Sequence, residues 1–134
     1  MIRVILVDDH DMVRSALARV LSADSGLSVV GEADRADTAW ELYLKHRPEI
    51  IVCDLDLPVV SGRDFALRVL ESNPQQGLVI LSYRIEPSEV QFLVEAGVRG
   101  YVTKSCSSEE LAVAIRNVAG GGHQIGRASC RERV

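Results

Sequence analysis

Five short apolar runs alternate with five amphipathic stretches along this 134-residue chain. That alternation limits the possible folds more than any other feature. Brief apolar runs separated by helical patterns read as buried parallel strands, because a crossover helix brings the chain back to the same end of the sheet. Strands are expected at about 2–8, 27–31, 49–54, 77–82 and 99–103. Helices are expected at about 11–23, 35–46, 62–72, 87–96 and 107–119. Ile50–Cys53 is continuously apolar, as suits a central strand covered on both faces. Leu27–Val30 is the weakest strand pattern. The first helix places Val13, Leu17, Val20 and Leu21 at core-facing spacing. The third does so with Phe65, Val69 and Leu70, and the fifth with Leu111, Ala114, Ile115 and Val118. Ser107 and Ser108 are candidate caps of the fifth helix, Glu109 and Glu110 suit its first turn, and Gly120-Gly121-Gly122 stops it.

One domain with a real core fits this length. A net charge of −4 argues against this domain gripping nucleic acid by itself. No apolar run approaches the roughly 20 residues of a membrane span. The N-terminus runs straight into a strand pattern instead of a signal peptide, so a cytoplasmic protein is expected. Cys53, Cys106 and Cys130 are far apart and lack metal-ligand spacing, and Cys53 reads as a buried thiol.

Four of the apolar runs end in polar residues. Ile2–Val7 ends in Asp8-Asp9, Ile50–Cys53 in Asp54, Leu78–Leu81 in Ser82, and Tyr101–Thr103 in Lys104. Strands of a parallel sheet share one carboxyl edge, where ligands bind. Three carboxylates, a hydroxyl and an ammonium therefore converge on a site suited to a divalent cation and a phosphoryl group. Asp54 can attack phosphorus and hold the group as a mixed anhydride. Asp8 and Asp9 can hold Mg²⁺, an ion bound by one or two carboxylates plus water and phosphate. Adjacent residues leaving a strand point apart, so one would bind directly and the other through water. Lys104 offers a compact positive charge, and Ser82 one hydrogen bond. Taken alone, Asp8-Asp9 would read as a helix cap, Ser82 as a turn residue, Lys104 as a solvated lysine and Tyr101 as core packing.

This ordered set resembles the receiver domain of bacterial two-component response regulators, over essentially all of residues 1–124. The segments VDDHDMVRSALARVL, LSYR, AGVRGYVTK and IRNVAGGG look like the NarL/FixJ subfamily, whose members usually continue into a LuxR-type helix-turn-helix. The resemblance implies a flavodoxin-like (βα)₅ fold, an α/β architecture with a five-stranded parallel sheet in order 2-1-3-4-5 and helices on both faces. It implies that Asp54 takes a phosphoryl group from a sensor histidine kinase. Mg²⁺ would be held by Asp9, Asp54 and the Asp56 backbone carbonyl, with Asp8 acting through water. Ser82 would then move toward the phosphoryl group, and Tyr101 would turn inward as the switch aromatic. A changed face around the fourth helix, fifth strand and fifth helix, or the first helix, would pair with a second copy or an output domain. DNA would be reached only through that output domain. The chain would act as a signalling phosphoacceptor, catalysing at most its own phosphorylation and dephosphorylation.

Several positions depart from the family pattern. Asp11 stands where Pro often opens the first helix, Leu57 where Met is frequent, and Tyr83 where a small residue is favoured. Ser105 follows Lys104 where Pro is common, which puts a cis peptide there in doubt. Tyr83 is expected to narrow access to the site. Asp56 and Arg84 are expected to pair over the acyl phosphate and slow its hydrolysis. Two rival functions are kept. Asp54-Leu55-Asp56-Leu57 resembles the paired-aspartate motif of haloacid-dehalogenase-type phosphatases, but Pro58 stands where that family usually has Thr or Val, and Asp8-Asp9 is left without a role. The other rival is a stand-alone receiver acting by protein contact.

The last ten residues, IGRASCRERV, have no apolar period and contain three Arg. They also read as the in-frame translation of a common sequencing adapter. Native sequence is therefore expected to end near Gln124, with 125–134 a non-native tail and the output domain absent. Without the tail, 12 basic and 18 acidic residues leave a net charge of −6.

Overall fold

A computed structural model describes residues 1–125. Strands β1 (Ile2–Val7), β2 (Leu27–Ala33), β3 (Ile50–Asp54), β4 (Gly77–Ser82) and β5 (Gly100–Thr103) alternate with helices α1 (Asp11–Ser22), α2 (Ala36–His46), α3 (Gly62–Ser72), α4 (Pro87–Ala96) and α5 (Ser108–Ala119). A short β6 (Gln124–Ile125) follows. All pairings are parallel, in the order β2-β1-β3-β4-β5-β6. The expected five-strand order is present, with one strand added at its edge. Gln124 and Ile125 pair with Gly100 and Tyr101, and Ile125 packs against the core. Two residues are too few to produce a strand pattern in sequence. The expected non-native tail otherwise lies outside the described residues.

The two-residue period of the strands sorts the core into two layers. Val4, Leu6, Ile50, Val52, Val79, Leu81 and Val102 face α1 and α5, and pack with Leu21, Leu111, Ile115 and Val118. Ile5, Val7, Ile51, Cys53, Leu78, Ile80 and Tyr101 face α2, α3 and α4, and pack with Tyr43, Phe65, Val69 and Leu93. Both sides of β3 are thus covered, which is why Ile50–Cys53 carries no polar alternation. The thiol of Cys53 is buried, as expected.

β2 runs two residues further than its pattern suggested. Its register against β1 jumps from Val4↔Val29 to Ile5↔Gly31, a bulge that breaks the alternation. Helix α1 corrects the sequence reading. Val13 and Val20 were expected in the core but are 39% and 46% exposed. The inward stripe is instead Arg14, Leu17, Ala18 and Leu21. A guanidinium occupies the position that an apolar count gives to valine, because Arg14 serves the backbone at the top of β1. The cap reading of α5 is borne out: Ser107 Oγ accepts the Glu110 N–H and Glu110 returns the bond, a capping box.

β1 lies between β2 and β3, so the chain reverses its direction of winding there. The crevice outside this switch point is where such sheets hold ligands. No helix of the described residues is long and apolar enough to cross a membrane.

The floor of that crevice is pinned by Gly62. Its N–H donates to the Leu55 carbonyl at 2.9 Å. A Cβ there would lie 1.9 Å from the Asp54 carbonyl oxygen. Gly62→Ala is therefore expected to destabilise the fold by roughly 3 kcal/mol, the upper range for overpacking. Urea unfolding checks this; an unchanged midpoint would contradict the close approach.

Candidate functional site

The strand ladders continue past the strand ends and set the backbone of the site. Asp8 N–H donates to Ala33 O at 3.0 Å, Leu55 N–H to Leu81 O at 3.1 Å, and Lys104 N–H to Ser82 O at 2.8 Å. These bonds bring Asp8, Asp54 and Lys104 to one level. The Arg14 guanidinium donates to the Asp8 carbonyl at 2.6 Å and is held by Asp11 and Glu32 at 3.0 and 3.2 Å.

Lys104 is the hub. Its Nζ lies 2.9 Å from Asp54 Oδ2 and 3.2 Å from Asp8 Oδ2, with all three side chains buried. Asp54 Oδ1 accepts the Asp56 N–H at 3.1 Å. Asp9 points outward from Asp8, as adjacent residues leaving a strand must, and its side chain is partly exposed. Donor atoms of Asp8, Asp9, His10 and Asp54 all lie within 4.8 Å of one another. Burial, the largest influence, raises the Asp54 carboxyl above its ordinary pKa, against the bonds from Lys104 and Asp56. Burial would depress the Lys104 ammonium, yet its bond to Asp54 and the nearby charges carry it above its ordinary value.

A divalent cation fits these residues. With three carboxylates ionised against one ammonium, two negative charges remain, the charge of one such ion. Asp8 Oδ2 is buried with the Lys104 ammonium at 3.2 Å as its one contact among the described residues, so it keeps a lone pair for a cation or its water.

The other expected site residues divide. Ser82 is buried at the end of β4, and its Oγ accepts the Arg84 N–H at 3.5 Å. Tyr101 was expected to turn inward on activation, but the structure already buries it completely, in the α2–α4 layer and paired with Ile125. Tyr83 is 64% exposed and forms the rim of the site: its ring lies 4.8 Å from Lys104 Nζ and edge-on to His10 at 6.5 Å. Asp56 and Arg84 do not meet. Arg84 Nη2 lies 3.5 Å from Glu86 Oε2, both exposed, so the expected pair over the site is absent among the described residues. Every described peptide is trans, including Lys104–Ser105. Sequence reasoning missed His10 and Arg14. Their signal was position alone: His10 directly follows the acidic pair, and Arg14 follows His10 at one helical turn.

The raised pKa of Asp54 carries a sign. Ionising a carboxyl whose folded value lies above its unfolded value favours the unfolded chain. That penalty is absent below the ordinary carboxylate range and grows as pH rises through the folded value. Without divalent cations, Asp54→Asn should therefore raise the urea midpoint at pH 7, and the gain should shrink toward acid pH. A midpoint at or below wild type at pH 7 would contradict the assignment.

Residues 4–116 match the family model described as the response regulator receiver domain. Response regulator GacA of Pseudomonas aeruginosa is 35% identical over 125 residues, covering 93% of this chain and 58% of that protein. Response regulator UvrY of Escherichia coli is 30% identical, with 93% of this chain and 57% of that protein covered. The chain thus spans less than two thirds of these relatives. A crystal structure of a LuxR-family two-component response regulator from Aurantimonas sp. SI85-9A1 is similar at TM-score 0.89 and 31% identity, covering 99% of this chain and 98% of that one. The sheet order, the carboxylates gathered around one lysine and these likenesses agree: this chain belongs to the response regulator receiver domain family.

Proposed function

We propose that the chain receives a phosphoryl group on Asp54 from a sensor histidine kinase and relays that event to a partner surface. The observation that carries this reading is the bond from Lys104 Nζ to Asp54 Oδ2, 2.9 Å long, beside the Asp8-Asp9 pair. Asp9, Asp54 and the Asp56 backbone carbonyl would hold Mg²⁺, with Asp8 reaching it through water, and the ion would supply the positive charge that phosphoryl transfer needs. An Asp54 carboxylate oxygen attacks phosphorus, the bond from phosphorus to the kinase's imidazole nitrogen breaks, and the imidazole keeps the electron pair. Lys104 exchanges its bond to Asp54 for one to a phosphoryl oxygen. Ser82 turns its hydroxyl from local backbone to another.

Tyr101 is the switch aromatic of this reading, and the inward, buried position of its ring is the one that phosphorylation would favour. Phosphorylation then acts by population shift, holding Ser82 and the chain after β4 against a ring that is already in place. The readout is a changed face around α4, β5 and α5, or α1, which pairs with a second copy in a phosphorylation-dependent homodimer or docks an output domain. In a LuxR-type protein that output binds DNA, so transcription control is the role of the longer protein, and a cytoplasmic location follows from a cytoplasmic kinase domain. Residues 125–134 are a non-native tail in this reading, and the genomic codons after Gln124 decide both that and the presence of an output domain. Tyr83 sets the lifetime of the signal by screening the acyl phosphate. Arg84 contributes with Asp56 only after leaving Glu86.

Acetyl phosphate with Mg²⁺ should place one phosphoryl group on wild type and none on Asp54→Asn; equal labelling of the two would refute the assignment. Tyr83→Ala should lose its phosphoryl group several-fold faster than wild type in a phosphate-release assay, and equal rates would remove the screening role. Equal rates for Arg84→Ala and wild type would likewise remove Arg84.

A further inference from the structure

His10 is not accounted for by the helix it begins. It occupies the N-cap of α1, yet its side chain makes no capping bond, and His is not among the residues favoured there. The His10 N–H donates to Asp8 Oδ1 at 2.8 Å, which fixes the residue against the acidic pair. The imidazole folds back over the site. Its Nδ1 stands 3.2 Å from Asp8 Oδ1 and 3.3 Å from Asp9 Oδ1. The edge-on contact with Tyr83 borders the ring on another side.

This spacing suits a metal centre. Adjacent corners of an octahedron with bonds of about 2.1 Å lie about 3.0 Å apart, and opposite corners about 4.2 Å. The His10 nitrogen stands 3.3 Å from Asp9 Oδ1, near the first distance, and the donors of Asp9, His10 and Asp54 fall within 4.8 Å of one another. Asp8 Oδ2, the other oxygen of the Asp8 carboxylate, is buried with the Lys104 ammonium at 3.2 Å as its one contact among the described residues, which leaves a lone pair facing the pocket.

We propose that His10 Nδ1 is a direct ligand of the divalent cation in this pocket, giving the site a preference for Mn²⁺, Co²⁺ and Ni²⁺ over Mg²⁺. The proposal rests on the reading above that a cation binds at Asp9 and Asp54. The chemistry is that of donor type. Mg²⁺ takes oxygen ligands and releases its waters reluctantly, whereas imidazole suits first-row transition ions and strengthens their binding along the series from Mn²⁺ to Ni²⁺. A site of oxygens alone follows the same order less steeply, since carboxylate and water suit Mg²⁺ and Mn²⁺ alike. One nitrogen at the rim adds it without disturbing Lys104 or Asp54. The competing role for the imidazole is a hydrogen-bond donor to Asp8 and Asp9, which leaves the ion in an all-oxygen shell.

Electron spin-echo spectroscopy of the Mn²⁺-loaded 134-residue chain separates these outcomes. A coordinated imidazole couples its ¹⁴N nucleus to the Mn²⁺ spin. The coupling should be present in wild type and absent in His10→Phe, which keeps a ring beside Tyr83 and removes the donor. In calorimetric titrations His10→Phe should weaken Mn²⁺ on the order of tenfold and leave Mg²⁺ within about twofold. If Mn²⁺ binds without ¹⁴N coupling, or the coupling survives in His10→Phe, His10 is not a ligand. In that case an affinity lowered by Asp9→Asn shows that the carboxylate site still stands. If neither ion binds, or Asp9→Asn leaves binding unchanged, the cation site and the His10 proposal fall together.

Discussion

A single buried ammonium holds together two carboxylates delivered by different strands: Lys104 Nζ reaches Asp54 at 2.9 Å and Asp8 at 3.2 Å. Burying any one of these charges alone would be strongly unfavourable, and removing the ammonium, the one cation of the set, would leave two buried carboxylates unpaired, a change that typically costs about 3–5 kcal/mol. The cluster is still not balanced, because Asp9 adds a third carboxylate. The fold therefore keeps an excess of negative charge at the end of its sheet. Lys104 partly relieves it, and a bound cation would complete it. The same excess explains how the site can respond to a chemical event. Any group arriving at Asp54 must rearrange Lys104, whose backbone is tied to β4 through its bond to the Ser82 carbonyl.

Most of the scaffold was legible in the sequence, because the pattern that identifies strands is the burial that stabilises them. Ile50–Cys53 shows no alternation since helices cover both faces of β3. The four polar strand ends were legible for the same reason: a charge that interrupts an apolar run needs a purpose. The misses have physical causes. A bulge at Val30 hid the end of β2. Two residues of β6 carry too little pattern to be seen. Val13 and Val20 were counted into the core because hydropathy assigns no inward role to Arg14, although its aliphatic stem and its bond to the Asp8 carbonyl give it one.

Side-chain partnerships were harder to read than placement. Tyr83 was expected to narrow access to the site, and its exposed ring lies 4.8 Å from Lys104 Nζ. Arg84 lies one residue further on and finds a partner two residues away in Glu86, at less conformational expense than reaching across the site to Asp56. His10 could not be read as a site residue, because nothing in sequence tells whether a residue at a helix start turns toward solvent or back over the strand end. The rim is thus built from two rings, His10 and Tyr83, while the floor is built from charges.

The central claim is that Asp54 alone among the carboxylates of this pocket carries the phosphoryl group, with Asp8 and Asp9 serving the cation. Borohydride reduction of the phosphorylated chain converts an aspartyl phosphate into homoserine, which peptide mass spectrometry locates. Homoserine at position 54, and at neither position 8 nor position 9, is the predicted result. Homoserine at 8 or 9, or phosphate incorporated with no homoserine at 54, would contradict it.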